Sequence, residues 1–394
     1  MIKNYFFFIA VLITTIAVGQ GIPLTENAEI SIITVGPGTN LNDSFGHNGF
    51  RIRDESSNID IIYDYGRYDF NTPNFYLKFA QGKLLYEIGS NNFNPFFNYY
   101  KKQNRWIKEQ ILNLDYSEKK ALFKYLQTNA KPENKKYTYD FFYDNCATKM
   151  RDVLLGLLGE KLEYKEDHIT EAYTFRELIQ KNVKANSWGS LGMDVAIGAV
   201  VDRKAKPIEY QFLPEYVLQG ANNAVIIRNN EEVSLVKKYN LLFESEKQES
   251  NTNFFLSPYF IFGCLGMLLL FITYKDFKNG TRSRITDLLI FLSTGLAGVL
   301  FVLLWAATDH TSTVNNYNLL WAFPFSILFF LQIFKKSPKA WLQKYVFFLM
   351  ILLALVAIHW TTGVQVFGTG LLPLLIALGI RYIYLWYFLG KKQS

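Results

Sequence analysis

Two hydrophobic rhythms divide the chain. In its first part, short β-rich runs recur at Ile30–Val35, Phe50–Arg53 and Ile59–Tyr65, with turn residues Gly36, Pro37 and Gly38, then Ser56, Ser57 and Asn58, between them. The period then becomes that of a helix. Asp115 and Ser117 are good N-caps for a helix running to about Tyr125, and a second helix begins at Asn145. In that second helix Met150, Val153, Leu154, Leu157 and Leu158 fall at i, i+3, i+4, i+7 and i+8, a stripe for burial, and Gly159 is a natural C-cap. Strands and helices mix without a strict βαβ repeat, which predicts an α+β domain over residues 20–243.

Beyond the polar linker 244–253 the pattern changes. Residues 254–394 carry five apolar segments, Phe254–Tyr274, Ile285–Ala307, Asn318–Phe334, Tyr345–Trp360 and Thr369–Leu389, and predict an all-α bundle of about five transmembrane helices. Pro324 interrupts the third segment, and the fourth is short. Lys275, Lys278, Arg282 and Arg284 crowd the first loop, Lys335, Lys336, Lys339 and Lys344 the third, and Lys391 and Lys392 the tail; loops 308–317 and 361–368 have no Lys or Arg. Basic loops stay in the cytoplasm. The first helix must then enter from outside, with the α+β domain and the neutral loop Thr308–Tyr317 on the outer side.

The N-terminus agrees independently. Lys3, the apolar stretch Tyr5–Val18 and Ala17-Val18-Gly19 compose a secretory signal over residues 1–19, its apolar part short of the ~20 residues that span a bilayer. The expected location is a membrane, multi-pass, with the soluble domain outside the cytoplasm. Composition changes this picture little. The 394 residues include 34 Phe, 25 Tyr and 7 Trp, and the formal charge of +7 collects in the short loops as a topology signal, so no nucleic-acid partner is expected.

Candidate chemistry centres on a thiol. Cys264 lies inside the first apolar segment, which leaves Cys146 alone in an exported domain, where disulfides are the rule. In Tyr143-Asp144-Asn145-Cys146-Ala147 it occupies the first turn of a helix, where backbone N–H groups and the helix dipole stabilise a thiolate. A nucleophile and a small core residue both fit that position. Of the four histidines, His47, in a Gly-flanked turn feeding a strand, is the best base for such a thiol. Asp64 on the next strand can orient the imidazole, though an ordinary strand-end aspartate reads the same way. Asn145 and Tyr143 flank the thiol, and His310 and Asn318 bracket the polar outer loop; these four are the candidate substrate-binding residues. No P-loop, GxGxxG, HExxH, GxSxG or paired-cysteine pattern occurs, and no metal or cofactor is expected.

Phe45-Gly46-His47 followed by Tyr139-Asp140-Phe141-Phe142-Tyr143-Asp144-Asn145-Cys146 resembles the Lnb-type bacterial lipoprotein N-acyltransferases. The likeness includes Tyr65-Gly66, Asn71-Thr72-Pro73-Asn74-Phe75-Tyr76-Leu77-Lys78-Phe79, Trp188-Gly189, Phe212-Leu213-Pro214-Glu215-Tyr216, and His310 with Asn316-Tyr317-Asn318-Leu319-Leu320-Trp321. The order His then Asn-Cys is also similar to circularly permuted papain-like (NlpC/P60-like) enzymes, lecithin:retinol acyltransferase relatives among them. The resemblance implies Cys146 as nucleophile, His47 as base, a phospholipid acyl donor and a diacylated lipoprotein acceptor. The resemblance also implies a bacterial inner (cytoplasmic) membrane with the soluble domain in the periplasm. A rival reading uses the same Cys146 and His47, a membrane-tethered cysteine peptidase or amidase acting on the cell wall; in another, a non-catalytic receptor or assembly factor, Cys146 is a core residue.

Overall fold

The computed structural model describes residues 24–246 and 253–391. The expected signal segment 1–19 and most of the linker lie outside the described residues.

β1 (Glu29–Val35) is buried along nearly its whole length, as a strand flanked on both edges and covered on both faces must be. It pairs antiparallel with β2 (His47–Asp54), which turns back through Asn58 into β3 (Ile59–Arg67). α1 (Phe75–Ala80) leads to β4 (Leu85–Asn92), α2 (Phe93–Lys102) to β5 (Ile107–Leu112), and α3 (Tyr116–Asn129) to β6 (Lys136–Thr138). Next come α4 (Cys146–Leu158), β7 (Leu162–Tyr164), α5 (Phe175–Asn182), α6 (Trp188–Ala196) and α7 (Pro214–Asn223), then β8 (Ala224–Arg228), β9 (Glu231–Ser234) and β10 (Val236–Phe243). The main sheet runs β10-β5-β1-β2-β3-β4-β6, antiparallel throughout, and β7-β8-β9 form a small second sheet.

The sheet has two packed faces. Ile32, Phe50, Ile52 and Tyr63 meet Met150 and Leu154 of α4, so the helical stripe read from the sequence is buried against strands. On the other face Ile33, Val35, Ile62 and Ile107 meet Phe93 and Phe96 of α2. A separate core of Phe142, Phe175, Leu178, Tyr210 and Phe212 builds a lobe around Arg176, whose buried guanidinium pairs with Asp194 and Asp202.

In the second half, four helices are long and apolar enough to cross a membrane: Pro258–Asn279 (α8), Arg284–Ala306 (α9), Trp341–Thr362 (α11) and Thr369–Lys391, whose α-helical part is α12 (Leu372–Lys391). The expected third span, Asn318–Phe334, is not one helix. It has a 3-10 turn at Tyr317–Leu320 and then the nine-residue α10 (Ser326–Phe334). At 1.5 Å per residue α10 reaches about 14 Å, half the hydrocarbon thickness. Pro324 supplies no N–H where the helix would continue. The irregular stretch presses instead against α9, where a Cβ on Gly298 would lie 2.1 Å from the Ala322 carbonyl.

The α+β domain sits on the neutral loops. Gly198 N–H donates to the Ser312 carbonyl at 2.8 Å, Ala199 N–H to Asn315 at 2.9 Å, and the Trp188 indole to Leu256 at 2.9 Å. Leu191 joins Val356, Phe367, Leu371 and Leu375 in one apolar cluster. The basic loops are at the opposite ends of the same helices, where Arg381 is fully buried and pairs with Asp276 and Asp287, both at 2.7 Å.

That buried triad gives a stability prediction. Arg381→Ala leaves Asp276 buried without its cation and Asp287 with the 3.4 Å contact to Arg282 alone, a loss of about 3–5 kcal/mol. The unfolding midpoint in detergent micelles is expected to fall sharply. Arg381→Lys should recover only part of it, since one ammonium cannot fork between two carboxylates as a guanidinium does.

Candidate active site

The start of α4 is built by its own sequence. Asp140 Oδ1 accepts from the N–H groups of Phe142 and Tyr143 at 2.8 and 2.9 Å, folding the chain into a turn that Asp140 and Asp144 close through mutual backbone bonds. Asn145 then caps the helix: its Oδ1 accepts from Ala147 N–H at 2.8 Å and Thr148 N–H at 2.9 Å. Its Nδ2 donates to the Phe141 and Phe212 carbonyls at 2.7 and 2.8 Å. Cys146 is therefore the first helical residue. Asn145 occupies the next two amides, which leaves the Cys146 N–H for an oxyanion.

The base arrives from the sheet. His47 opens β2, paired with Val35, and its Nε2 lies 2.9 Å from Asp64 Oδ2. Gly49 is the residue directly opposite Asp64, so histidine and aspartate make a diagonal pair on one face of the β2–β3 ladder. β3 carries an irregularity between Asp64 and Arg67. This bulge turns Arg67 back onto Asp64, with Nε donating to Oδ1 at 2.9 Å. Within the bulge Gly66 adopts φ +88°, and a Cβ there would stand 3.6 Å from the Cys146 Cβ. A Cβ would fit there in ordinary contact, so it is the left-handed backbone, and not space, that favours glycine at this point beside the thiol.

Charge within the group is consistent. Burial pulls the His47 imidazolium down, but Tyr100, the negative charge of Cys146, and hydrogen bonds to Asp64 and Cys146 outweigh it, holding His47 well above its ordinary value. Burial pushes the Asp64 carboxyl up, and the hydrogen bond and charge of His47 together with Arg67 more than reverse this, so Asp64 titrates below the usual carboxylate range. The arrangement favours a protonated imidazole held between the Asp64 carboxylate and the Cys146 sulfur. The rings of Tyr100 and Phe96 lie 6.1 and 6.5 Å from that of His47. Arg67 and Tyr100 were missed by the sequence reading, and only the spacing Asp64-x-x-Arg67 could have suggested the first.

A cavity of about 610 Å³ opens on Cys146 and His47, lined by Phe45, Phe70, Phe75, Phe79, Phe141 and Phe212 among others. A second space of about 160 Å³ shares Phe79, Tyr86, Tyr139 and Phe141 with it and ends at Asp309, His310, Thr311 and Ser312 of the outer loop. The other sequence candidates divide. Cys146, His47, Asp64 and Asn145 converge. His310 lies at the membrane end of the second space, with Nε2 3.1 Å from the Phe79 carbonyl. Tyr143 faces a different hollow of about 410 Å³, beside Phe175 and Arg203. Asn318 is fully buried in the junction, where Nδ2 donates to the Val195 carbonyl at 3.3 Å and Oδ1 accepts from the Trp321 indole at 2.7 Å. Among the described residues, no three His, Cys, Asp or Glu side chains converge to hold a metal ion.

Comparison with protein families assigns both halves. Residues 24–181 match the family model described as the Lnb N-terminal periplasmic domain, and residues 248–393 match the Lnb transmembrane domain. The chain belongs to the Lnb family. Neither the curated proteins nor the solved structures give a match. An Lnb chain is thus a membrane protein with a periplasmic domain, and its Cys146–His47–Asp64 group lies in that domain, facing the loops at the outer ends of the membrane helices.

The coupling of His47 to Asp64 predicts a titration. A raised folded-state value means that the imidazolium stabilises the fold at acid and near-neutral pH, and that this contribution is lost as pH rises through the folded value. Asp64→Asn removes the carboxylate and should move the His47 midpoint down. Imidazole NMR shifts followed against pH in the wild type and the variant check both position and direction.

Proposed function

We propose that this protein is a lipoprotein N-acyltransferase with a permuted papain-like periplasmic domain, anchored in the bacterial inner membrane. It moves an acyl chain from a phospholipid through a Cys146 thioester to the α-amine of a diacylated lipoprotein's N-terminal cysteine. The observation that carries this reading is the aromatic cavity at the thiol, which shares the wall Phe79, Tyr86, Tyr139 and Phe141 with the space that ends at the membrane-side loop. Its volume is ordinary for a small-molecule site. A wall made largely of Phe and Tyr rings with Leu41, Met193 and Pro214 suits a hydrocarbon chain.

The chemistry follows from the group's parts. The Cys146 thiolate attacks the ester carbonyl carbon, and the developing oxyanion takes the hydrogen bond of the Cys146 N–H. The carbon–oxygen ester bond breaks, His47 protonates the departing oxygen, and a lysophospholipid leaves. The neutral α-amine, whose pKa is near ~8, then attacks the thioester. His47 takes the amine proton, the carbon–sulfur bond breaks, and the amide forms with the thiolate restored. Asp64 keeps the imidazole oriented through both halves. Order in the chain, histidine on a strand before cysteine on a helix, supports the permuted papain-like assignment.

Incubation of the purified protein in phospholipid micelles without acceptor should yield a hydroxylamine-sensitive acyl adduct on Cys146 by intact mass. Cys146→Ser should give no such adduct, and His47→Ala should slow its formation on the order of 10²–10⁴-fold. A reactive thiol that never acylates would transfer the assignment to a wall hydrolase, and a thiol no more reactive than free cysteine would leave a receptor. His310→Ala is expected to lower phospholipid use while leaving the iodoacetamide reactivity of Cys146 unchanged, because His310 lies at the membrane end of the adjoining space, outside the cavity that holds the thiol.

A further inference from the structure

The segment joining β3 to β4 is unusual for a surface. α1 buries none of its six residues, and Phe70, Tyr76, Leu77 and Phe79 are 65, 80, 57 and 53% exposed. Four large apolar side chains grouped on one short segment are not scattered surface residues. Such a patch marks a surface that something apolar covers.

Its position identifies what covers it. The far end of the segment is fastened to the outer loop: Asp309 N–H donates to the Gln81 carbonyl at 2.8 Å, and His310 Nε2 sits 3.1 Å from the Phe79 carbonyl. Asp309 follows the outer end of α9, Ala306, by three residues. Leu300 and Leu303 on the last turns of that helix are 53 and 51% exposed, as side chains facing lipid are. The aromatic patch is thus pinned a few residues from the edge of the hydrocarbon. Lys78 lies within it and Lys83 just beyond it, and among the described residues neither has an ion-pair partner, so both ammonium groups can meet lipid phosphates. The same segment also walls the reaction cavity through Tyr68, Phe70, Phe75 and Phe79. Phe70, Tyr76 and Phe79 belong to both, so the exposed patch is continuous with the cavity that leads to Cys146, and Leu77 stands at its outer edge.

We infer that residues 68–82 form an interfacial lip, which sinks Tyr76 and Leu77 into the outer leaflet and lets a phospholipid acyl chain slide along its aromatic side to the thiol. The lip is a membrane-binding surface that holds the cavity mouth open to lipid laterally, so the donor need not leave the bilayer through water. This inference rests on a phospholipid as donor, and its test separates the two ideas.

The full-length protein is placed in phosphatidylethanolamine–phosphatidylglycerol nanodiscs with the photoreactive p-benzoylphenylalanine in place of Leu77, in a Cys146→Ser background that cannot turn over. The same replacement at Leu303 serves as the lipid-facing reference, and at Tyr125, exposed on α3, as the aqueous one. After irradiation, a phospholipid adduct at Leu77 approaching the Leu303 yield is expected. An adduct no greater than at Tyr125 would overturn the lip. Capture of added lipoprotein in place of lipid would overturn it in favour of a protein-docking surface. In a second arm, Leu77→Asp should slow Cys146 acylation by bilayer phospholipid tenfold or more, and leave acylation by a water-soluble short-chain thioester unchanged. Equal losses on both donors, or none on either, would also overturn it. If no donor acylates the wild type, the acyltransferase reading fails, and the photochemical arm still decides the lip.

Discussion

Every part of the candidate site depends on the Asn145 side chain. It accepts two hydrogen bonds and donates two, so the amide is saturated. The two accepted bonds cap α4, which alone is worth about 1 kcal/mol. The two donated bonds run to the turn that precedes the helix and to Phe212, in the separate aromatic lobe. Removing either acceptor or donor would leave buried backbone groups unpaired, at about 1–3 kcal/mol for each one. One buried amide therefore decides where the thiol stands relative to the sheet on one side and the lobe on the other. The sheet brings the base, and the lobe brings the contact with the membrane loops.

What the sequence made legible follows the range of the forces involved. The start of α4 was readable because a cap, a stripe and a closing glycine are local, and the structure places them at Asn145, at Met150 to Leu158, and at Gly159 with φ 56°. The first three strands were readable from their β-rich runs and turn residues. Tyr100 was not, because it meets His47 only after α2 folds across the sheet. Arg67 was hidden for another reason. An extra residue in β3 breaks the alternation of faces, and no propensity scale reports a bulge. The broken shape of the third apolar segment was not legible, because composition registers only hydrophobicity. The fold there is set by Pro324 and by the close approach that Gly298 allows.

Topology was the firmest inference, and packing explains its physical sense. Loops free of Lys and Arg can lie against a folded domain without stranding a charge. Accordingly Ser312, Asn315 and Gly368 are the places where the domain meets the bundle. Arg282, Lys335 and their neighbours crowd the other end, where Arg282 satisfies itself on the carbonyls of Ile333 and Lys335, both at 2.7 Å. The charge asymmetry that sets the orientation thus also keeps the docking surface neutral.

The junction does more than tether. Asp140, whose Oδ1 shapes the turn ahead of Cys146, uses its other oxygen to accept from Thr311 of the outer loop at 2.6 Å. One carboxylate is therefore shared between the start of the nucleophile's helix and the loop at the membrane surface. His310, the neighbour of Thr311, touches the segment that walls the acyl cavity. Thiol, cavity wall and membrane loop are in this way positioned by a chain of direct contacts with no flexible linker between them. For the reaction proposed above, whose partners are both lipids confined to a plane, such rigidity replaces diffusional search with orientation.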